Sequence, residues 1–206
     1  LLGGIKRIGS VSEKLVPFMA LFYVVLGIGV VLLNVQRLPG VLQSIFEGAF
    51  NPAAFTGGII GSLFVSMQKG VSRGIFSNEA GLGTGSIAHA CADTKKPVKQ
   101  GMFGIFEVFA DTIVICTLTA LVILTSGFVD LNTGRMLTEV QGSALVGKAF
   151  STVFGSFGPK FIAVSILLFA YSTVLGWSHY GTKAFEYLFG TKASMGYQVV
   201  FVAMVL

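Results

Sequence analysis

The chain has 206 residues, of which 53% are hydrophobic and 11% are charged, whereas roughly a quarter of the residues of soluble domains are charged. A soluble core could not bury this much apolar surface, so the composition indicates a membrane protein. The formal net charge of +5 does not indicate nucleic-acid binding, because no soluble stretch combines clustered basic residues with interleaved aromatic ones. The two cysteines, Cys91 and Cys116, provide no disulfide framework.

Several runs with few or no charged residues are long enough to cross a bilayer, since a transmembrane helix needs about 20 apolar residues. We therefore predict an all-α integral membrane protein. The chain begins without Met and ends inside an apolar run, so we also expect a fragment whose last span is truncated. The predicted spans are 15–35, 52–72, 100–127, 160–182 and 193–206.

Lys and Arg are distributed unevenly between the two sides of these spans. Because cytoplasmic loops are enriched in both residues, the bias predicts a cytoplasmic amino end. One side has ten basic residues: Lys6, Arg7, Lys14, Lys69, Arg73, Lys95, Lys96, Lys99, Lys183 and Lys192. The other side has four: Arg37, Arg135, Lys148 and Lys160.

Two segments between the spans have apolar residues at helical spacing. Leu38 to Phe50 is predicted to form a short amphipathic helix on the outer face, and residues 149–157 (AFSTVFGSF) a second one before the fourth span. Such helices are typical of a transporter lid, but also of ordinary interfacial helices.

The second predicted span is rich in glycine, including Gly57, Gly58 and Gly61. Two interpretations compete. Small residues allow a neighbouring helix to approach closely, and glycines also mark broken helices whose freed backbone groups bind a ligand near the midplane.

The following loop, residues 73–91, is too polar and glycine-rich to span the membrane. Ser77 or Asn78 is predicted to cap a helix that Glu79 enters, and the glycines permit a re-entrant path on the cytoplasmic side. Its Gly81-Leu82-Gly83 sequence is not a nucleotide fingerprint, because Ser86 occupies the position of the third glycine and no strand precedes it.

His89, Cys91 and Asp93 raise the question of a metal site. Alternate residues of a helix point in different directions, and zinc sites usually need four ligands, so we favour a structural or solvated role.

Glu107 and Asp111 are four residues apart in the third predicted span, so both carboxylates lie on one face of that helix. Asp111 follows Lys99 by about 18 Å of helix, which is near mid-membrane. Ionised groups at this depth indicate either a cation or proton pathway or a buried interhelical hydrogen bond or ion pair.

The fourth predicted span contains Ser172, Thr173 and Trp177. The two hydroxyls are hard oxygen ligands suited to sodium, although hydroxyls in membrane helices often bond back to the preceding turn. The position of Trp177 in the span is compatible with two roles, as an anchor at the membrane–water interface or as a side chain that lines a pocket.

Several long sequence words make the chain resemble the alanine or glycine:cation symporter family. They cover most of the chain: GGIKRI, EKLVPFMALFYV, RGIFSNEAGLGTGSIAHA, DTIVICTLTALVILTSG, FAYSTVLGWSHYG and EYLFG. The resemblance implies the inverted-repeat (LeuT-like) fold of the amino acid, polyamine and organocation superfamily. It further implies that residues 1–206 form one transmembrane transporter domain, a fragment covering about core helices five to nine.

The resemblance also implies roles for individual residues. The stretch containing Gly57, Gly58, Ile59 and Gly61 matches the unwound part of core helix six, which would hold a zwitterionic substrate. Trp177 matches a pocket aromatic residue. Ser172 and Thr173 match the hydroxyls that complete the family's sodium site.

The leading functional hypothesis is sodium-coupled symport of small neutral amino acids, such as alanine or glycine, into the cell across the cell membrane. Asn78 and Glu79 are expected to close the cytoplasmic side, and Asp111 to structure the bundle. Sodium is the coupling ion and no other cofactor is expected. Core helices one to four, absent from this chain, would complete both sites.

Two alternatives belong to other classes. One is an integral-membrane enzyme with a cytoplasmic-loop site built around Glu79, His89 and Asp93. The other is a channel, which is disfavoured because no ring-forming filter motif is present.

Overall fold

The computed structural model describes residues 4–50, 60–90, 92–133 and 135–205, and these residues are almost entirely helical. The prediction of an all-α membrane protein is confirmed. The elements are α1 (Gly4–Leu33), a 3-10 turn (Val35–Arg37), α2 (Leu38–Phe50), α3 (Ile60–Ser77), α4 (Glu79–Leu82), α5 (Gly85–His89), α6 (Pro97–Val108), a π-helix (Phe109–Cys116), α7 (Thr117–Thr125), α8 (Gly142–Phe154), α9 (Phe157–Phe189) and α10 (Ser194–Val205).

Three helical stretches are long and apolar enough to cross a membrane: Lys14–Leu33, Pro97–Thr125 and Phe157–Phe189. They overlap the predicted spans 15–35, 100–127 and 160–182. The middle stretch, Pro97–Thr125, runs from α6 through the π-helix to α7 without interruption, and we call it the central span.

The other two predicted spans are described only in part or are short. Most of the predicted span 52–72 corresponds to α3, whereas residues 51–59 lie outside the described part of the chain. The fifth apolar run forms α10, a 12-residue helix.

Both predicted interfacial segments contain helix, but one prediction had the wrong bounds. The segment from Leu38 to Phe50 is helical over its whole length, as predicted. The second helix, expected at 149–157, begins earlier, at Gly142, and ends at Phe154. It ends there because Gly155 has a φ of +56°, a left-handed conformation that glycine adopts without the steric cost that other residues incur.

The hydrophobic core lies where α1, α7, α8 and α9 meet. Although α8 has only 13 residues, it is anchored there by Phe150, which is fully buried. The Phe150 ring centroid is 5.8 Å from that of Tyr23 and 5.7 Å from that of Phe161, within the range of favourable aromatic pairs. The buried members of the core are Tyr23, Val30, Val31, Leu118, Val122, Ala149, Phe150, Phe161 and Ile162.

The loop between α7 and α8 folds back on itself around Asp130. The backbone N–H of Asp130 donates to the carbonyl of Arg135 at 2.9 Å, and its carboxylate accepts from the Thr133 hydroxyl at 2.6 Å and the Asn132 N–H at 3.0 Å. These two donors hold the pKa of Asp130 below its ordinary value. The turn is therefore most stable with Asp130 ionised, and this contribution is lost as the pH falls through the lowered pKa.

The short helices α4 and α5 are positioned by the spans. They contact each other, α4 contacts α3, and α5 contacts α6 and α9. The loop sequence that was predicted to follow a re-entrant path is therefore held between two membrane-spanning helices.

Glycine allows α8 and α9 to approach backbone to backbone. A Cβ at Gly158 would lie 2.6 Å from the backbone nitrogen of Ser151 and 2.7 Å from the carbonyl carbon of Phe150. Neither backbone atom can move away without displacing α8. The position therefore requires glycine for packing, not for backbone conformation.

We predict that Gly158→Ala destabilises the protein by about 1–3 kcal/mol, as overpacking of a tight contact does. Thermal unfolding in detergent measures the effect. The matched control is Gly196→Ala in α10, where a Cβ would meet no atom within 4 Å. This control should be neutral or slightly stabilising, and an equal loss of stability in both variants would contradict the packing argument.

Candidate functional site

A cavity of about 480 Å³ lies between α1, the α3–α4 junction, the central span and α9. We call it the central cavity. Its lining includes five residues that the sequence analysis selected separately: Asn78, Glu79, Asp111, Thr173 and Trp177. The structure thus brings together the residues expected to close the cytoplasmic side (Asn78 and Glu79), the intramembrane Asp111, the predicted sodium ligand Thr173 and the predicted substrate-binding residue Trp177.

The α3 helix ends at Ser77 and a new helix begins at Glu79, so the helical structure is interrupted at Asn78. The backbone N–H of Gly81 donates to Oδ1 of Asn78 at 3.3 Å, which is the bond of a helix N-cap. The predicted capping of a helix that Glu79 enters is confirmed, with Asn78 as the capping residue.

Side chains at this interruption bond to the central span. The Ser77 hydroxyl donates to Oδ2 of Asp111 at 2.7 Å, and Nδ2 of Asn78 donates to Oγ1 of Thr112 at 3.2 Å. Two consecutive residues of the α3–α4 junction therefore bond to two consecutive residues of the π-helix.

These bonds define the depth of the helix interruption. Asp111 is 14 residues from Pro97 and 14 residues from Thr125, the two ends of the central span, so it lies at the middle of a helix that is long enough to cross a bilayer. Irregular backbone at such a depth is tolerated only where it is buried in protein or lines a water-filled cavity. The interruption at Asn78 lines the central cavity, as this requirement demands.

The middle of the central span is a π-helix, Phe109–Cys116, that contains Asp111. π-Helical turns are rare and occur frequently at functional sites. Glu107 lies one turn before, and both carboxylates line the central cavity. The prediction that these two residues share a face is confirmed.

On α9, the adjacent residues Ser172 and Thr173 differ in position. Thr173 lines the central cavity, whereas Ser172 is not among the lining residues that the structure describes. Both hydroxyls donate to the carbonyl of Phe169, at 2.8 and 2.9 Å. A hydroxyl that donates in this way keeps its acceptor lone pairs, so the oxygen of Thr173 can still accept from a ligand or coordinate a cation in the cavity.

Trp177 lies one turn further along α9 and also lines the central cavity, with 44% of its surface exposed.

A smaller cavity of about 210 Å³ adjoins the central one and shares Glu79 and Glu107 with it. The Thr84 hydroxyl donates to the Glu79 carboxylate. His89 also lines this cavity, and its Nε2 is 3.9 Å from Oε2 of Glu107. Its Nδ1 is 2.9 Å from Nε2 of Gln100.

This smaller cavity bears on the enzyme and metal hypotheses. It includes Glu79 and His89, but Asp93 is not among the described residues that line it. Cys91 lies outside the described residues. Within the described ranges, no three His, Cys, Asp or Glu side chains are grouped so as to hold a metal ion.

Four other predicted site residues come from the glycine-rich stretch. Gly57, Gly58 and Ile59 lie outside the described residues, and Gly61 lies in the first turn of α3. The helix interruption that the structure describes is therefore at Asn78, 17 positions beyond Gly61.

The hydrogen-bond partners of the selected residues were not predicted from the sequence: Ser77 was considered only as a possible cap, and Thr112 was not considered. The available signal was weak: each is a polar residue next to one that had been selected, within an otherwise apolar stretch.

Spanning helices that surround a polar cavity, with a helix interrupted at mid-membrane, define a class: multi-pass membrane transport proteins. Within this class, the chain belongs to the sodium:alanine symporter family, whose profile matches residues 1–206. The resemblance recognised in the sequence is thereby confirmed. The family consists of transporters, so the alternative of an integral-membrane enzyme is wrong.

Curated relatives agree with this membership. A sodium/alanine symporter of Methanococcus maripaludis is 42% identical over 202 residues, which is 98% of this chain and 43% of the relative. An uncharacterized transporter of Haemophilus influenzae is 39% identical over 207 residues, 100% of this chain and 44% of the relative. A probable sodium/glutamine symporter of Bacillus subtilis is 39% identical over 186 residues, 90% of this chain and 37% of the relative. The chain thus spans less than half of the length of these relatives.

The bond of the Asn78 side chain to Gly81 and its bond to Thr112 can be separated by substitution. Asn78→Asp keeps the capping oxygen but removes the donor to Thr112, whereas Asn78→Ala removes both. We expect Asn78→Ala to lose about 1 kcal/mol of local stability, because Asp and Asn cap helices equally well and Ala caps poorly. Amide hydrogen exchange at Gly81 measures this loss. Faster exchange in the Asp variant than in the Ala variant would contradict the assigned cap.

Proposed function

We propose that this chain forms part of a sodium-coupled symporter that moves small neutral amino acids, such as alanine or glycine, into the cell. The proposal rests mainly on the interrupted helix at Asn78, which lines a polar cavity at mid-membrane depth together with Asp111, Thr173 and Trp177. The protein would lie in the cell membrane with the amino end of this chain in the cytoplasm. Its fold would be the inverted-repeat (LeuT-like) fold, with this chain covering core helices five to nine.

The charge distribution of the central cavity favours a co-transported cation. Among the described residues, its lining contains Glu79, Glu107 and Asp111 but no Lys or Arg. Carboxylates within a membrane are costly unless a positive charge or donated hydrogen bonds compensate them. A sodium ion that enters with the substrate would supply this compensation during transport.

Thr173 is the better supported of the two proposed sodium ligands. Its hydroxyl lies on the cavity side of α9, and hydroxyl oxygen is a hard ligand of the kind that hard cations prefer. Ser172 would be the second ligand, as the family resemblance implies. A site built from these two residues also needs oxygen atoms from outside this chain.

The substrate site would lie against Trp177 and the backbone around Gly57, Gly58, Ile59 and Gly61. A zwitterion needs partners for its ammonium and its carboxylate, and backbone groups freed from a helix supply both kinds. The indole of Trp177 would limit the size of the side chain that can enter. Core helices one to four of the same protein would complete the pocket.

Asn78 and Glu79 would close the cytoplasmic side of the pocket. Both line the central cavity, and Glu79 also lines the adjoining smaller cavity. The bond from Thr84 to the Glu79 carboxylate holds this side chain at the boundary between the two cavities.

Replacement of Thr173 tests the sodium site. We expect Thr173→Ala in the full-length protein, reconstituted in liposomes, to raise the sodium concentration for half-maximal alanine uptake by roughly tenfold, the effect of losing one good ligand of about 1.4 kcal/mol. The control is Thr182→Ala on the same helix, whose hydroxyl also donates back within the helix, to the Ser178 carbonyl at 2.6 Å. An unchanged sodium dependence in Thr173→Ala would show that the assignment is wrong.

Replacement of Trp177 tests the size limit. We expect Trp177→Ala to raise glutamine uptake relative to alanine uptake by roughly 10–100-fold, because changes in pocket contacts discriminate substrates by about 1–3 kcal/mol. Competition between the two labelled amino acids measures the ratio. Tyr187→Ala, on the same helix and 89% exposed, is the control. An unchanged ratio in Trp177→Ala would exclude a role in size selection.

A further inference from the structure

Another cavity, of about 370 Å³, shares Asp111 with the central cavity and no other described lining residue. We call it the α8 cavity, because Ser143 and Val146 of α8 form part of its wall together with Tyr23 of α1 and Ser165 of α9. Asp111 lines both the α8 cavity and the central cavity. The carboxylate therefore lies at the boundary between the two.

The same carboxylate accepts the hydrogen bond from Ser77, which is the last residue of α3. Ser77 lines the central cavity but is not among the described residues that line the α8 cavity. The bond thus ties the end of α3 to the boundary from the central side. The neighbouring bond from Asn78 to Thr112 ties the same junction to the next residue of the π-helix.

We propose that the Ser77–Asp111 hydrogen bond is an internal gate that separates the α8 cavity from the central cavity during transport. This inference rests on the proposed transport function and adds a step to it. When the bond breaks, the α3–α4 junction can move away from the central span, and the two cavities become continuous past the Asp111 carboxylate. Asp111 is thereby a gating residue and not only a structural member of the bundle.

The surroundings of this bond suit a gate that opens in every transport cycle. Both partners line the central cavity, so water in that cavity can replace either partner when the bond breaks. Among the described residues, the carboxylate accepts from one neutral donor, and no Lys or Arg lines either cavity. An ion pair at this position would be much costlier to break, because removal of one partner leaves a buried charge unpaired.

The test measures ion leak without any amino acid, so that it does not depend on substrate transport. The full-length protein is reconstituted in liposomes, and the leak of ²²Na⁺ and, with a pH-sensitive dye, of protons is recorded. We expect Ser77→Ala and Asp111→Ala each to raise the leak of at least one ion by roughly tenfold, the effect of losing one hydrogen bond to a charged group. The double variant should leak no more than either single variant, since both remove the same bond.

Two further variants separate gating from loss of structure. Ser77→Thr keeps the hydroxyl and should keep the leak at the wild-type level. Ser126→Ala is the control for removal of a serine hydroxyl, because Ser126 directly follows α7 and its hydroxyl donates to the Ile123 carbonyl at 2.6 Å. Thermal unfolding of each variant identifies any that are misfolded.

The outcomes distinguish the gate from the transport function. Leak in Ser77→Ala equal to that in Ser126→Ala, or additive leak in the double variant, would overturn the gate. Low leak in wild type with no sodium-driven alanine uptake would overturn the proposed substrate and coupling, while the leak of the variants would still report on the gate. If Asp111→Ala leaks but a folded Ser77→Ala does not, the carboxylate acts without Ser77 and the proposed bond is not the gate.

Discussion

A backbone polar group in a bilayer must find its hydrogen bonds within the protein or at a water-filled cavity, and the arrangement of this molecule depends on that constraint. Helical structure is interrupted at Asn78, which lies beside the middle of the central span. Side chains at the interruption provide part of the hydrogen bonding there. The Asn78 side chain caps the next helix, Ser77 bonds to Asp111, and the cavity provides access to water. The interruption is therefore found where side chains and a cavity can satisfy its polar groups.

The two regions of the structure differ accordingly in how they are held together. Around Phe150 and Phe161, apolar and aromatic side chains from four helices pack into a buried cluster with close backbone contacts at Gly158. Around the central cavity, individual hydrogen bonds and one weak His89–Glu107 pair connect the elements. Packed cores tend to move as units, whereas single polar contacts can exchange with water. Motion during transport is therefore expected where the polar contacts are.

Several helices and the helix cap could be predicted from the sequence, because each depends on the residue pattern within one short segment. Apolar length identified the three stretches that are long enough to cross a membrane, helical spacing identified α2, and the residue types limited the helix cap to Ser77 or Asn78. The bounds of α8 were missed at both ends: the helix already begins at Gly142, and it ends before Gly155, which has a positive φ. The bond between Ser77 and Asp111 joins residues 34 positions apart, and no period or motif relates them. Ser172 and Thr173 were treated as one pair, but neighbours on a helix point about 100° apart, and only Thr173 is found at the cavity.

The π-helix between Phe109 and Cys116 has a mechanical consequence. Conversion of its wider turns to ordinary α-helical turns would rotate one end of the span about its axis relative to the other. Leu118 and Val122, just beyond it, are buried in the core and would resist rotation, so the twist would be taken up by the Pro97 end. That end contacts α5 through Gln100 and His89. Such a rotation would change which side chains of α6 face α5, while the core around Val122 stays in place.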